Sequence, residues 1–320
     1  MSASKLQLSD SGRLLHLLTL EDLPPKIIYS LFAAADKFAA HKPSPDARPL
    51  SGKLFVNIFF ESSTRTRTAF EASARQLGAD VVNLDRITMS GETKSETLRD
   101  TVLTIAAMGA AGIALRHGEN GAAVQAAAAA PPNFAVINGG DGENAHPTQG
   151  LTDAYTLRER VGEDFSGLSI AIVGDVLHSR VARSDLHIFR TLGATDIRLV
   201  GPPSLCPQEL QDELGATVIN DMADGINGVD VVALLRVQRE RLNADETGLS
   251  AAEYFTRFGL DEKRLAGLKP DVMVLHPGPI NRGMEISNVV ADGKNALILR
   301  QVKNGMAVRM AVLNELCGDR

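Results

Sequence analysis

Short β-branched or apolar runs alternate with segments of helical period along almost the whole chain, and few folds accommodate that pattern. Candidate strands occupy 54–60, 81–84, 112–115 and 134–137 in the first half, and 168–173, 197–200, 231–235 and 272–275 in the second. Strands this uniformly apolar are covered on both faces, which is the condition of a parallel sheet with helical crossovers. The intervening segments supply the helices. Phe70, Ala74 and Leu77 fall on one face that Gly78 terminates, and Leu98, Val102 and Ile105 fall on another. The Ala-rich piece 122–130 runs into Pro131 and Pro132, which break it. Met306, Val308, Met310, Val312 and Leu313 give a terminal helix. The expected class is α/β, with doubly wound domains around central parallel sheets.

At roughly 150 residues per domain, a 320-residue chain holds two domains. The boundary is expected near Gly150, because Asn138-Gly139-Gly140-Asp141-Gly142 reads as a glycine-rich loop and 151–161 as a connecting helix. With 44% hydrophobic and 22% charged residues the chain is neither disordered nor fibrous. Its formal net charge of −6 disfavours general binding to nucleic acid. The two cysteines, Cys206 and Cys317, form no C-x-x-C pair, which fits a reducing, cytoplasmic setting and no zinc site. Neither a signal peptide nor a membrane anchor is evident, and the uncharged stretch 101–115 is too short to span a bilayer.

In open parallel sheets ligands bind beyond the carboxyl ends of the strands, so the polar residues that follow each strand are the informative ones. Strand 54–60 leads to Glu61-Ser62-Ser63-Thr64-Arg65-Thr66-Arg67-Thr68, strand 112–115 to Arg116-His117, and strand 134–137 to His146-Pro147-Thr148-Gln149. In the second half, Gly174-Asp175 leads to Arg180, strand 231–235 to Arg236-Val237-Gln238, and strand 272–275 to His276-Pro277-Gly278-Pro279. Ser63, Thr64, Arg65 and Thr66 sit where a strand gives way to a helix, so backbone N–H groups, hydroxyls and a guanidinium converge on one oxyanion. Ser63 as a plain helix cap with Arg65 and Arg67 solvated is the competing reading, and the alternation with two arginines favours the anion. Arg116, a charge ending an apolar strand, is expected to be paired or to bind something. His146 alone reads as a loop histidine; beside Gln149 it suits a small polar ligand. The segment 88–96, with Ser90 and Lys94, reads as a solvated loop on composition, and Arg239-Glu240-Arg241 as a solvated face.

Several chemistries are missing their motifs. Gly174-Asp175-Val176-Leu177-His178-Ser179-Arg180 lacks the later glycines of a dinucleotide fingerprint. There is no P-loop, no H-E-x-x-H and no G-x-S-x-G elbow.

Taken together, Phe60 to Arg67, Arg116-His117, His146-Pro147-Thr148-Gln149, Arg236-Val237-Gln238 and His276-Pro277-Gly278-Pro279 closely resemble the carbamoyltransferases, in the family's order and from about Leu14 onward. Within that family the residues favour the branch that uses aspartate. Two carboxylates call for cations, and Arg180, Arg236 and Lys94 supply them. The His-Cys-Leu-Pro of the ornithine branch is here His276-Pro277-Gly278-Pro279. The resemblance implies a carbamoyl phosphate-binding domain over 1–149, joined by the C-terminal helix 302–320, and an aspartate-binding domain over 150–301, with the active site in the cleft between them. The implied reaction moves the carbamoyl group of carbamoyl phosphate to the amine of L-aspartate, giving N-carbamoyl-L-aspartate and phosphate, the committed step of de novo pyrimidine synthesis.

The resemblance also assigns roles. Ser63, Thr64, Arg65, Thr66 and Arg116 hold the phosphate; Thr66, Arg116 and His146 donate to the carbonyl oxygen; Gln149 and the carbonyls of Gly278 and Pro279 fix the carbamoyl amide. Arg180, Arg236 and Gln238 grip the aspartate carboxylates, and Lys94 with Ser90 reaches in from a neighbouring subunit of a homotrimer. No cofactor or metal is implied. Members that bind a zinc-containing regulatory chain carry leucine where Gly278 stands, so that partner is not expected; a dihydroorotase-like chain in a larger assembly is the candidate partner, and 1–13 is either its contact or a tail. Ornithine as acceptor, and a non-catalytic anion-binding homologue, are the alternatives.

Overall fold

A computed structural model describes residues 3–41, 43–44, 48–85, 96–237 and 249–318. The chain divides into two compact units, Met1–Thr152 with Lys303–Arg320, and Asp153–Val302. The division falls inside the helix Pro147–Val161.

The first unit is built on β1 (Leu54–Phe59), β2 (Asp80–Asp85), β3 (Ala110–His117) and β4 (Ala135–Asp141), all parallel, in the order β2-β1-β3-β4. β1 and β4 are almost wholly buried, as their apolar sequences require. Val56, Ile58, Ile113, Leu115 and Val136 pack with Val102 and Ile105 of the helix Leu98–Ala107 and with Ala122, Ala123 and Ala126 of the helix Ala122–Ala129. Ala130 is extended, as the residue before Pro131 must be. The segment from Ala3 is folded, with a short helix Ala3–Gln7 and a buried Gln7 whose Oε1 accepts from the amides of Leu18 and Thr19 at 3.1 and 3.3 Å.

Asn138, Gly139, Gly140 and Asp141 are the buried end of β4 and not a loop. The glycines are needed for close approach: a Cβ on Gly139 would lie 3.2 Å from the Leu115 carbonyl oxygen, and one on Gly112 would lie 2.6 Å from that of Ala135. Likewise Arg116 and His117 are the last residues of β3, where they had been expected just beyond it.

The second unit contains β5 (Ser169–Val173), β6 (Asp196–Val200), β7 (Thr217–Ile219), β8 (Val231–Leu234) and β9 (Met273–Leu275), parallel in the order β7-β6-β5-β8-β9. β7 is a short edge strand that the sequence pattern does not reveal. Ala171, Val173, Val232, Leu234 and Val274 meet Tyr254 and Phe258 of the helix Ala251–Phe258 in its core. Asp153 and Asp185, in the interior of this unit, are each 1% exposed and hydrogen-bonded to one another.

Burial, and then the charge and hydrogen bond of Asp153, push the Asp185 carboxyl well above the carboxylate range. The folded chain therefore keeps a proton that the unfolded chain releases above 3.8, and stability falls as pH rises from there through the folded pKa. Asp185→Asn, which cannot ionise, is expected to flatten that slope in melting temperature against pH. A variant that keeps the wild-type slope would contradict the assignment.

Candidate functional site

In the first sheet β1 is followed by β2 on one side and β3 on the other, so the crossovers diverge and leave a crevice at the carboxyl ends of β1 and β3. Register pairs Phe59 with Arg116 across it, and the Phe60 amide donates to the Arg116 carbonyl at 2.9 Å. The Arg116 guanidinium is held from both flanks. Nε lies 3.3 Å from Glu61 Oε2, and Nη1 donates to the Gly139 carbonyl of β4 at 3.3 Å.

The chain leaving β1 enters the helix Thr64–Gln76 with Ser63 at its N-cap. The Ser63 hydroxyl makes no capping bond, whereas Thr97, Ser179, Asp221, Ser250, Asp261 and Ser287 all cap their helices. First-turn amides have no acceptor within their helix, so those of Thr64, Arg65 and Thr66, together with the Ser63 hydroxyl, suit an external oxyanion. Thr64 and Arg65 are exposed and Thr66 is buried. Arg67 lies 3.6 Å from Asp85 Oδ2, on β2.

At the end of β4, buried Asp141 organises the approach to His146. Its carboxylate accepts from Asn138 Nδ2 and the Gly121 amide at 2.8 Å each, and from the Ala145 amide at 3.2 Å. Desolvation by burial nonetheless raises its pKa, with these bonds opposing the shift. His146 then immediately precedes Pro147, the first residue of a helix, and is itself buried, while Gln149 is half-buried one turn on. Three neighbouring strands thus deliver Ser63 to Thr66, Arg116 and His146 to the same edge of one sheet.

The second sheet has its switch point between β5 and β8. Gly174 turns there with φ +136°, where a Cβ would lie 3.0 Å from that of Leu235. Buried Asp175 accepts from the His178 amide at 3.3 Å and lies 2.8 Å from its Nδ1. Ser179 caps the next helix, Arg180–Thr191, through the Ala182 amide, which places Arg180 at its first position. Arg236, two residues beyond the end of β8, is exposed. The following residue is tied down: the Val237 amide donates to Glu285 Oε1 at 2.9 Å, and Asn281 donates to Glu285 through its amide at 2.9 Å and through Nδ2 at 2.7 Å. Asn281 Nδ2 also donates to the Val237 carbonyl at 2.9 Å. Burial pushes the Glu285 carboxyl up against these bonds. After β9, Gly278 has φ +65°, its amide donates to His276 Nδ1 at 2.8 Å, and a cis bond joins it to Pro279. Lys94, Ser90 and Gln238 lie outside the described residues.

Glu61, Asp141, Asp175 and Glu285 were not singled out as site groups from sequence. The signal for Glu285 is a charge between Met284 and Ile286, in a run that is otherwise buried. Among the described residues no three His, Cys, Asp or Glu side chains gather as a metal site, and no helix is long and apolar enough to cross a membrane. The Cys206 thiol is pushed up to about 12 by burial and by the charge of Asp175, which makes it inert as a nucleophile.

The fold and these strand-end groups define an α/β protein with polar, cationic switch points in both of its units. Two family models match it in succession, the aspartate/ornithine carbamoyltransferase carbamoyl-P binding domain over residues 15–159 and the Asp/Orn binding domain over 166–316, and the chain belongs to that family of transferases. It is similar to aspartate transcarbamoylase from Trypanosoma cruzi, solved in complex with carbamoyl phosphate and aspartate, at 26% identity over 98% of this chain and 100% of that one, with a TM-score of 0.80. It is equally similar to ornithine carbamoyltransferase from Thermus thermophilus, at 26% identity over 94% and 98%, with a TM-score of 0.82. The corresponding enzyme from Pyrococcus furiosus gives 26% identity over 96% and 97%, and 0.81.

Replacing Glu285 by Gln turns an amide NH₂ toward at least one of the donors it now satisfies. Glu285→Gln is expected to raise KM for the amino-acid substrate about five- to tenfold, the loss of roughly one hydrogen bond. Steady-state kinetics with the amino acid varied checks this, and an unchanged KM would contradict it.

Proposed function

We propose that this carbamoyltransferase transfers the carbamoyl group of carbamoyl phosphate to the amine of L-aspartate. What carries the reading is Arg116 at the first switch point, in register with the end of β1 and so beside the uncapped start of the helix Thr64–Gln76. Ser63, Thr64, Arg65, Thr66 and Arg116 would hold the phosphate, where each charge-assisted hydrogen bond contributes about 1.5–3 kcal/mol. Thr66, Arg116 and His146 would donate to the carbonyl oxygen as it gains charge, while Gln149 and the carbonyls of Gly278 and Pro279 fix the carbamoyl amide.

The choice of aspartate rests on charge. Arg180 opens a helix beyond β5 and Arg236 stands beyond β8, so both strands flanking the second switch point deliver a guanidinium suited to carboxylates. The ornithine side chain ends in a cation, which two arginines would repel. Gln238 completes the grip. Lys94 and Ser90 would act from the neighbouring subunit of a homotrimer in the cytoplasm, a dihydroorotase-like chain being the larger assembly's candidate partner.

The chemistry is positioning and charge stabilisation. The amine attacks the carbamoyl carbon, the C–O bond to phosphate breaks, and the departing phosphate takes the amine proton. A side-chain nucleophile has no part in it. The product would be N-carbamoyl-L-aspartate, at the committed step of pyrimidine synthesis.

Supplying carbamoyl phosphate with aspartate or with ornithine, and identifying the product by mass spectrometry, tests the proposal. Carbamoyl aspartate alone is expected, and His146→Ala should lower its turnover by about 10²–10³-fold. Carbamoyl ornithine, or no product with either amine, would overturn it.

A further inference from the structure

In the second unit a chain of buried polar groups runs from the interior to the loop after β9. Asp185 donates its carboxyl proton to Asp153. Gln301 Nε2 donates to Asp153 Oδ1 at 2.7 Å, and Gln301 Oε1 accepts from the His276 amide at 3.0 Å. His276 Nδ1 in turn accepts from the Gly278 amide at 2.8 Å. Asp153, Asp185 and His276 are each 1% exposed and Gln301 is 3% exposed.

Burying such groups costs free energy that apolar side chains in their place would not, and once hydrogen-bonded they fix one arrangement. Each member has one orientation that satisfies its neighbours. The Gln301 amide must turn its NH₂ to the carboxylate, which leaves its oxygen facing the His276 amide. The His276 ring must keep Nδ1 unprotonated to receive Gly278. Gly278 itself sits at φ +65°, so its carbonyl direction is set by a backbone region that few residues adopt.

We propose that Gln301 and Asp153 are positioning residues that hold the 276–279 loop in its binding shape through His276. Asp185 supplies the proton that lets two carboxyl groups share the interior while Asp153 still accepts from Gln301. The functional consequence rests on the reading above, in which the carbonyls of Gly278 and Pro279 fix the carbamoyl amide.

Two variants separate the outcomes. Gln301→Met removes both hydrogen bonds at similar volume. Gln301→Glu keeps them only while the new carboxyl is protonated, able to donate to Asp153 and accept from His276. The titratable groups facing it are Asp153 on the helix Pro147–Val161, Asp185 on the helix Arg180–Thr191 and His276 beyond β9; on its own helix, Ile298–Cys317, Arg300 is paired with Glu159 at 2.7 Å.

Amide hydrogen exchange of a peptide spanning 276–281 reads the loop directly. We expect Gln301→Met to exchange about five- to tenfold faster than wild type there, with β5 unchanged. Across a pH series Gln301→Glu should match wild type at the acid end and move toward Gln301→Met as pH rises through the pKa of the new carboxyl, each compared with wild type at the same pH. KM for carbamoyl phosphate should follow the same pattern, rising more than kcat falls. If Gln301→Met does not fold, Gln301→Glu decides by its pH dependence. Loop exchange equal to wild type in the folded variants throughout the pH series would overturn the inference. A wild-type protein that makes no carbamoyl amino acid would overturn the proposed function instead, and the exchange result would still stand.

Discussion

The pairing of β1 with β3 in parallel, Phe59 opposite Arg116, is the constraint on which the first unit's chemistry depends. Because the chain adds β2 on one side of β1 and β3 on the other, the two connections part above this pair. A helix start and a strand-end guanidinium are thereby placed side by side, although 50 residues separate them in sequence, counting from Thr66 to Arg116. Sliding the register would move Arg116 away from the Ser63 turn or send it to the other face. Glycines let β3 and β4 approach closely, and the Gly139 carbonyl that accepts from Arg116 belongs to that contact.

The second unit repeats the device with different supports. Gly174 and Leu235 pack against one another where β5 and β8 end, and the chain leaves in opposite directions toward Arg180 and Arg236. Here the exits are fixed by buried carboxylates. Asp175 holds His178, and Glu285 holds Val237 and Asn281. Burial raises the pKa of Glu285 here and of Asp141 in the first unit, and both stand beside the strand ends where the cationic groups emerge.

Much of this was legible in the sequence, for physical reasons. Strands covered on both faces must be apolar throughout, so eight of the nine strands among the described residues were marked by composition, and the helix breaks by glycine and proline. The three-residue β7 was not, because an edge strand exposes Thr217 and carries too short a pattern. The end of β4 was misread because glycines demanded by backbone approach look the same as glycines demanded by a turn. The cationic residues at strand ends stood out as charges after apolar runs. Their supports did not: Gln301 and Asp153 are 148 positions apart, and Glu285 and Val237 are 48 apart, so only the fold pairs them.

On the proposed reading, Arg116 and the Ser63 turn form one anion site. Calorimetric titration of carbamoyl phosphate into wild type and into Arg116→Met, without amino acid, tests it most directly. The folded variant is expected to bind about tenfold more weakly, the equivalent of one charge-assisted hydrogen bond. Equal affinity in the two proteins would contradict it.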